Sequence, residues 1–542
     1  YCSPDVISIS NAGSIRIEEC NIHDVEGVSL DALQIDISQS EFKNFSSGAS
    51  FNASQTAVVG TSKFDSTTIG LYGAGSNSLV QSVVTNNTSG GPAVNWDITL
   101  SVGNSRFCNN TGGNFNDDSY VDLGGNLFNE GCDEIPLNFS VGGKGADYTD
   151  IQSAIDSLGG GTTINVQPGT YGPIDFKGKS LQIVAVDGYE STFIDAAGAG
   201  TAVLFQGGET SGARLEGFSI VNGSADNGGG VLVTNGSSPE IVGCRIAGNT
   251  SSGWGGGVMV YPQTTLLIQD CLFENNSSHY GGGLALYSNW DNANADVDWQ
   301  IINCTFQNNT AGFYGGGVAW RAYEIDIMLN FDQCTFHGNW ASSLGGGVYA
   351  YGRSYASSPA HYAFTQCIFT SNGTSGNGGA FEGTDLRSYN LESSLSFVSC
   401  QFDENTASGT GGALMMRGHT NTTLQNCTMS SNSAGTGGAA SLSTSNSTAD
   451  TYVIDSCVIT GNIASSAGGL DLSGCSYPTS LTNCVISGNE ATNDLTGGVR
   501  FSYNQSTTVQ STDLCSNAPS NVDGWYVDLG GNNEQANCNC PD

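Results

Sequence analysis

The chain has 542 residues, with 14 Lys and Arg against 50 Asp and Glu and a formal net charge of −36. Such a surface repels nucleic acid and anionic membranes, and it repels polyuronates unless cations intervene. With 76 Gly, only 11 Pro and 38 % hydrophobic residues, it is neither a collagen nor a disordered polymer. No apolar run is long enough to span a bilayer, so no membrane insertion is expected. The sequence opens at Tyr1 without Met or leader, which reads as a processed or truncated piece.

In chain order, residues 1–135 read as the C-terminal part of a β-helix unit. Apolar markers at Ile22, Phe42, Phe64, Val84 and Phe107 stand 20 to 23 residues apart. Two positions before each comes a small residue: Cys20, Ser40, Ser62, Ser82 and Ser105. Residues 136–145, within "CDEIPLNFSVGGKG", read as a linker. Residues 146–540 read as a complete β-helix unit opened by a capping helix. Tyr148, Ile151, Ile155 and Leu158 make one face of that helix, and Gly159 to Gly161 stop it.

From about 240 onward one pattern returns: Cys-x-apolar-x-x-Asn, then a Gly-rich turn. The cysteines are Cys244, Cys271, Cys304, Cys334, Cys367, Cys400, Cys427, Cys457 and Cys484. Five positions after them stand Asn249, Asn276, Asn309, Asn339, Asn372, Asn405, Asn432, Asn462 and Asn489, and Asn517 continues the series. Cys and the apolar residue two positions on share one face of a strand. The apolar residue three before Cys has the wrong parity for the same strand, so a bend must lie between them, and the glycines are expected to supply corners of positive φ. No repeat can bury its own inward face; stacking coil on coil does so and pairs the backbone edges. The fold class is therefore all-β, a parallel β-helix solenoid in two tandem units. Amphipathic helices do not fit the glycines and corner spacing.

The Asn column is expected to be a ladder, its amides bonding to one another and to corner backbone, because buried polar groups need partners. A ligand-binding strip is the other reading of those residues. Stacked coils lie ~4.8 Å apart, near the lower limit for a disulfide, so bridges along the Cys column would be strained. Ser at the equivalent early positions favours free, buried thiols. No C-x-x-C spacing exists, and the lone C-x-C of Cys538 and Cys540 has no nearby His, so no metal site is read.

The stretch "YVDLGGN" occurs at 120–126 and again at 526–532. Each copy lies between cysteines, Cys108 and Cys132 in the first case, Cys515 and Cys538 in the second. We read it as the mark of a β-helix end, with those four cysteines as candidates for bridges that pin the terminal coil. Sequence alone does not fix their connectivity.

The "PGTY" opening after a capping helix resembles the pectin-lyase-like, right-handed parallel β-helix superfamily. Segments such as "CTFQNNTAGFYGGGVAW" and "CQFDENTASGTGGALMM" are similar to the repeats of polymorphic outer membrane proteins. The likeness covers about 160–520 well and 1–110 loosely. It implies a right-handed solenoid at the cell surface or beyond, and it specifies fold far better than role. Many pectin-lyase-like proteins cleave acidic polysaccharides, the lyases with Ca²⁺-binding carboxylates and a basic residue, the hydrolases with an Asp set. This chain departs from those patterns: it has Asp117-Asp118 and "RGHT" at 417–420 but no "NTD", "GHG" or "RIK". The mixed cluster Arg321, Glu324 and Asp326 reads as a solvated strand face, and the five His residues are scattered. No catalytic residue, cofactor or nucleic-acid partner is therefore expected. Ca²⁺ is compatible with the acidic surface, but no Ca²⁺-binding motif supports a site.

Candidate N-glycosylation acceptors in N-x-S/T are Asn44, Asn52, Asn86, Asn138, Asn222, Asn235, Asn275, Asn303, Asn308, Asn421, Asn426, Asn446 and Asn504. N-linked glycans follow if the source is eukaryotic. Asn249, Asn276 and Asn372 carry the same triplet but fall on the ladder, so they should stay unmodified. The function expected from all this is a secreted structural or surface protein, a rod that self-associates head-to-tail into filaments or a cell-surface fibre. An adhesin or carbohydrate-binding rod is the alternative, and it requires an exposed aromatic strip, for which Tyr280, Tyr314, Trp320, Tyr349, Tyr351 and Tyr355 are candidates, Trp320 with inward parity. A polysaccharide lyase or hydrolase is the third.

Overall fold

The computed structural model describes residues 138–158 and 160–535 apart from 262–264, 288–295, 324–325, 355–360, 389–393, 419–420, 445–450, 476–477, 494–495 and 504–506, together with the strands before residue 138 named below. The chain divides into two compact units, one of residues 1–167 with 179–184, the other of 168–178 with 185–542.

Among the described residues before 138, the strands of the first unit form two parallel sheets. One runs through Val6–Glu18, Gly27–Ser38, Ala49–Gly60, Ser76–Val80, Thr99–Gly103 and Val121–Asp122. The other runs through Asn21–His23, Glu41–Lys43, Lys63–Asp65, Val83–Thr85, Arg106–Cys108 and Leu127–Phe128. Ile22, Phe42, Phe64, Val84 and Phe107 stand in register on consecutive strands of the second sheet, so the 20-odd-residue period is one coil. The same unit contains helix α1, Ile151–Ser157, which buries Ile151, Ala154 and Ile155. Asp150 caps its start, accepting from the Ser153 N–H at 2.8 Å, and that bond holds the carboxyl below its usual range. The Lys179 ammonium closes its other end, donating to the carbonyls of Ile155 and Leu158 at 2.6 and 2.8 Å.

The second unit is a stack of coils, each of which contributes to parallel sheets running along the stack. The first sheet includes Glu240–Val242 and Asp296–Ile302, the second the Cys-x-apolar strands such as Thr305–Gln307, the third the strands after the glycines such as Val348–Ser354, and a short fourth includes Thr310–Tyr314. Cys304, Phe306 and Asn309 face inward, as do Cys334, Phe336 and Asn339 one layer along, and all six are buried. Inside, Phe273, Phe306, Phe336, Phe369 and Phe402 form one face-to-face column with centroids 4.5 to 5.0 Å apart.

The bend demanded by the parity argument lies at the residue before Cys, and a second bend lies four residues after Cys. Both adopt left-handed backbone, and glycine is not their usual occupant: Asn303 has φ 51°, Gln333 54°, Ser399 56° and Glu404 56°. Residues other than glycine thus make most of the corners on either side of the Cys strand. The glycines serve the next corner. Gly345 takes φ 63°, while a Cβ on Gly346 would meet the Gly379 carbonyl of the next layer at 2.4 Å.

The Asn column is a continuous hydrogen-bond ladder. The Asn372 Oδ1 accepts from the Asn339 backbone N–H at 3.0 Å and from the Asn339 Nδ2 at 2.9 Å. Its own Nδ2 donates to the Phe336 carbonyl at 2.8 Å and to the Asn405 Oδ1 at 3.0 Å. The same four contacts recur from Asn276 to Asn489. The column begins at Gly223, whose N–H donates to the Asn249 Oδ1, and it ends on Asn521, which accepts from Asn517. The thiols form a parallel column. Each has its one S–H within reach of a carbonyl of its own coil and one of the coil before, as Cys334 has Asp332 and Ile301. Phe218 precedes that column and Thr512 follows it, with the Thr512 hydroxyl within reach of the same two kinds of carbonyl.

The second "YVDLGGN" occupies the last described layer of its stack. Val527–Asp528 pairs with Thr508 and Val509, and in the first unit Val121–Asp122 pairs with Ser101 and Val102 in the same register. In the second copy Asp528 accepts from the Gly530 N–H, and Asn532 bonds both the Val509 carbonyl and the Thr512 N–H of the layer above. The motif is thus a terminal layer that uses side chains where the next coil's backbone would otherwise stand.

Replacing Asn372 by Ala leaves the Asn339 backbone N–H and one hydrogen of the Asn339 amide without a buried acceptor. At about 1–3 kcal/mol for each orphaned group, we expect a loss of several kcal/mol of unfolding free energy, read by denaturant titration. Retention of wild-type stability would show that the ladder is incidental.

Candidate functional site

The third sheet presents two outward columns, and their occupants differ from the rest of the surface. Ala319, Tyr349, Glu382 and Met415 stand in register in one column; Tyr287, Arg321, Tyr351, Thr384 and Arg417 stand in register in the other. Beside them runs the corner that precedes the glycines, where Trp254, Tyr280, Tyr314 and Leu344 are paired layer on layer. Register turns these separate residues into one stack of rings. Trp254 lies 4.4 Å from Tyr280, Tyr280 5.5 Å from Tyr314, and Tyr314 4.6 Å from Tyr349. Tyr287 adds to one side at 4.9 Å from Trp254, and Phe313 to the other at 5.5 Å from Tyr280. Phe313 is 44 % exposed, Trp254, Tyr280 and Tyr314 are half-buried, and Tyr349 is buried, its hydroxyl held above its ordinary pKa chiefly by desolvation. The Arg321 guanidinium lies 5.5 Å from the Tyr351 ring centre, within cation–π range.

Of the sequence candidates for such a strip, Tyr280, Tyr314, Tyr349 and Tyr351 meet here, and Tyr355 lies outside the described residues. Trp320 is core, 1 % exposed and 5.3 Å from Tyr362. Trp254, Tyr287 and Phe313 were not singled out by the sequence. The one signal is a constant distance from the triple glycine, which Trp254, Tyr280 and Tyr314 each immediately precede.

Glu382 is the polar residue that sets this face apart. It is 1 % exposed; its Oε1 accepts from the Thr384 hydroxyl at 2.9 Å, and its Oε2 has no partner. Desolvation raises its pKa from 4.5 to about 8, against the opposing pull of the Thr384 bond and the Arg417 charge. It is protonated at neutral pH and so offers a hydroxyl as well as an acceptor. Asp471 lies further along the same column, held by a two-toothed ion pair with Arg500. Three layers at ~4.8 Å put these two acids roughly 14 Å apart, beyond the span of a glycosidase carboxylate pair.

The remaining sequence candidates are placed as follows. Asn222, Asn235, Asn275, Asn303, Asn308 and Asn426 occupy left-handed corners and are exposed, Asn138 is exposed, and Asn421 is half-buried in a strand. The side chains of Asn44, Asn52, Asn86, Asn446 and Asn504 lie outside the described residues. The nine column cysteines and Cys475 are free and buried, and Cys515 is disulfide-bonded to a partner outside the described residues. The side chains of Cys108, Cys132 and Cys538 also lie outside them, as do Asp117, Asp118 and Glu324. Among the described residues no group of three or more His, Cys, Asp and Glu is placed to hold a metal ion.

Because the folded pKa of Glu382 is raised, its neutral form is stabilising relative to the unfolded chain below about pH 4.5, and that advantage is lost as pH rises through about 8. Unfolding free energy should therefore fall from pH 5 to pH 8 in the wild type by more than in Glu382→Gln, with the two curves separated by a few kcal/mol at most (about 1.4 kcal/mol for each pH unit). Parallel curves in calorimetry would contradict this.

Residues 185–369 match the family model described as the right handed beta helix region. Comparisons with curated proteins and with solved structures find no match. With that match laid over the parallel coils, the protein is a right-handed parallel β-helix.

Proposed function

We propose that this protein is a secreted surface rod that binds glycan chains along the outer face of its third sheet. The unbroken ring stack Trp254, Tyr280, Tyr314 and Tyr349 carries this reading. Binding sites for small and polymeric ligands combine aromatic walls with a few placed polar groups. Here the edges of the stacked rings form a continuous apolar strip for the C–H groups of sugars, and Arg321, Thr384 and Arg417 offer donors and acceptors for their hydroxyls. The repeat of one layer per coil suits a linear chain laid along the axis. Affinity electrophoresis through gels containing soluble neutral and acidic polysaccharides tests it. Retardation by at least one polymer is expected, weakened about tenfold in Trp254→Ala and in Tyr280→Ala, the loss of 1–2 kcal/mol that an aromatic contact contributes. No retardation by any polymer, or retardation indifferent to both substitutions, would remove the reading.

End-to-end association of the rod is favoured by a separate observation. The last layer leaves Trp525, Val527 and Leu529 at 57, 38 and 53 % exposure, beside Tyr503 at 70 %. Apolar residues gathered at the end of a stack suit contact with a second copy, and a head-to-tail contact of that kind propagates. Negative-stain microscopy over a concentration series should show rods joining lengthwise, and Leu529→Glu should abolish the joining. Single rods at every concentration of the wild type would rule it out.

A further inference from the structure

We propose that the second sheet is the sugar-coated side of the solenoid: Asn222, Asn275, Asn303, Asn308 and Asn426 accept N-linked oligosaccharides, while the ladder asparagines with the same triplet do not. The proposal rests on the secretory part of the reading above and is independent of glycan binding.

Hydrogen count separates the two groups. In N-glycosylation the side-chain nitrogen attacks C1 of an oligosaccharide carried on a lipid diphosphate. The N–C1 bond forms, the C1–O bond to the diphosphate breaks, the diphosphate leaves with the electron pair, and the amide gives up one proton. An acceptor must therefore have an N–H to spare and room for a sugar. Asn222 donates once, to the Asp195 carboxylate at 3.0 Å, and Asn303 once, to Asp270 at 2.6 Å. Each keeps a second hydrogen. Among the described residues, the side-chain amides of Asn275, Asn308 and Asn426 make no hydrogen bond, and all five residues are exposed.

The ladder residues have nothing to give. Asn249 donates to the Ile220 carbonyl and the Asn276 Oδ1, Asn276 to the Ile246 carbonyl and the Asn309 Oδ1, and Asn372 to the Phe336 carbonyl and the Asn405 Oδ1. All three are fully buried. A sugar on any of them takes away a donor that a neighbouring layer needs, so a chain modified there does not stack.

These five acceptors are also placed on one side, whereas Asn235, which likewise keeps a second hydrogen, follows the third-sheet strand Val231–Val233. Asn222, Asn275 and Asn308 directly follow the second-sheet strands Ser219–Val221, Leu272–Glu274 and Thr305–Gln307; Asn303 and Asn426 come two residues before Thr305–Gln307 and Thr428–Ser430. Asn222 and Asn275 further line a shallow groove with Phe193, Val221 and Arg245 on that sheet. Sugars attached there cover the outer face of the second sheet and leave the rings of the third bare.

The test is to secrete the full chain from a host that N-glycosylates, isolate the folded, monodisperse fraction, and release glycans with peptide N-glycosidase in ¹⁸O-water. Peptide fragmentation then finds each converted asparagine. Label at the corner asparagines and none at Asn249, Asn276 or Asn372 is expected. Label at a ladder asparagine in folded material, or no label at the corners, overturns the assignment. Polysaccharide retardation measured before and after glycan release should agree within about twofold; release that changes it about tenfold would place the coat over the aromatic face and defeat the sidedness. If no polysaccharide is bound at all, the binding reading fails and the peptide map still decides this one.

Discussion

One buried side-chain amide holds neighbouring layers together. At each step of the second unit the Asn carbonyl oxygen accepts the backbone and side-chain N–H of the layer before, and the amide nitrogen donates both hydrogens, as Asn372 does between Asn339 and Asn405. The left-handed corner beside it leaves a backbone N–H pointing where no sheet can pair it. Buried without a partner, that group would cost about 1–3 kcal/mol in every coil. The ladder satisfies it and uses the whole hydrogen-bonding capacity of the amide while doing so. It also fixes register, because an Asn shifted by one residue would face solvent.

Register is then what makes a face. Phe273, Phe306 and Phe336 form a column inside the rod because the ladder aligns their coils, and the same alignment places Trp254, Tyr280 and Tyr314 over one another outside. Nothing in a single coil brings two rings together. The face also carries a destabilising element, a buried carboxyl with an unpartnered oxygen at Glu382. Groups held out of their preferred state in this way concentrate at functional sites, and here it lies where the rings give way to Thr384 and Arg417.

Much of this was legible in the sequence because it repeats. Cys304, Phe306 and Asn309 recur at fixed offsets, and constant offsets in a solenoid translate directly into inward columns. The plainer first unit was legible from Phe42 and Phe64 for the same reason. What was not legible depends on single layers or on what lies outside them. Gln333, Ser399 and Glu404 adopt left-handed corners with no help from their side chains, so composition gave no hint of them. Tyr349 was a candidate for an exposed strip, yet it is buried, since alternation reports which side of a sheet a residue occupies and not what covers that side. Asn521 closes the ladder from a coil where the offset has already broken down.

Each of the two inner columns has marked ends. Every internal step repeats the same contacts, so no internal residue carries information about its place in the series. That information resides in a few positions where the pattern is exchanged for something else: Phe218 and Gly223 at one side, Thr512 and Asn521 at the other. A gene that duplicated or lost a whole coil outside the ring-bearing layers would yield longer or shorter columns whose start and stop signals remain intact.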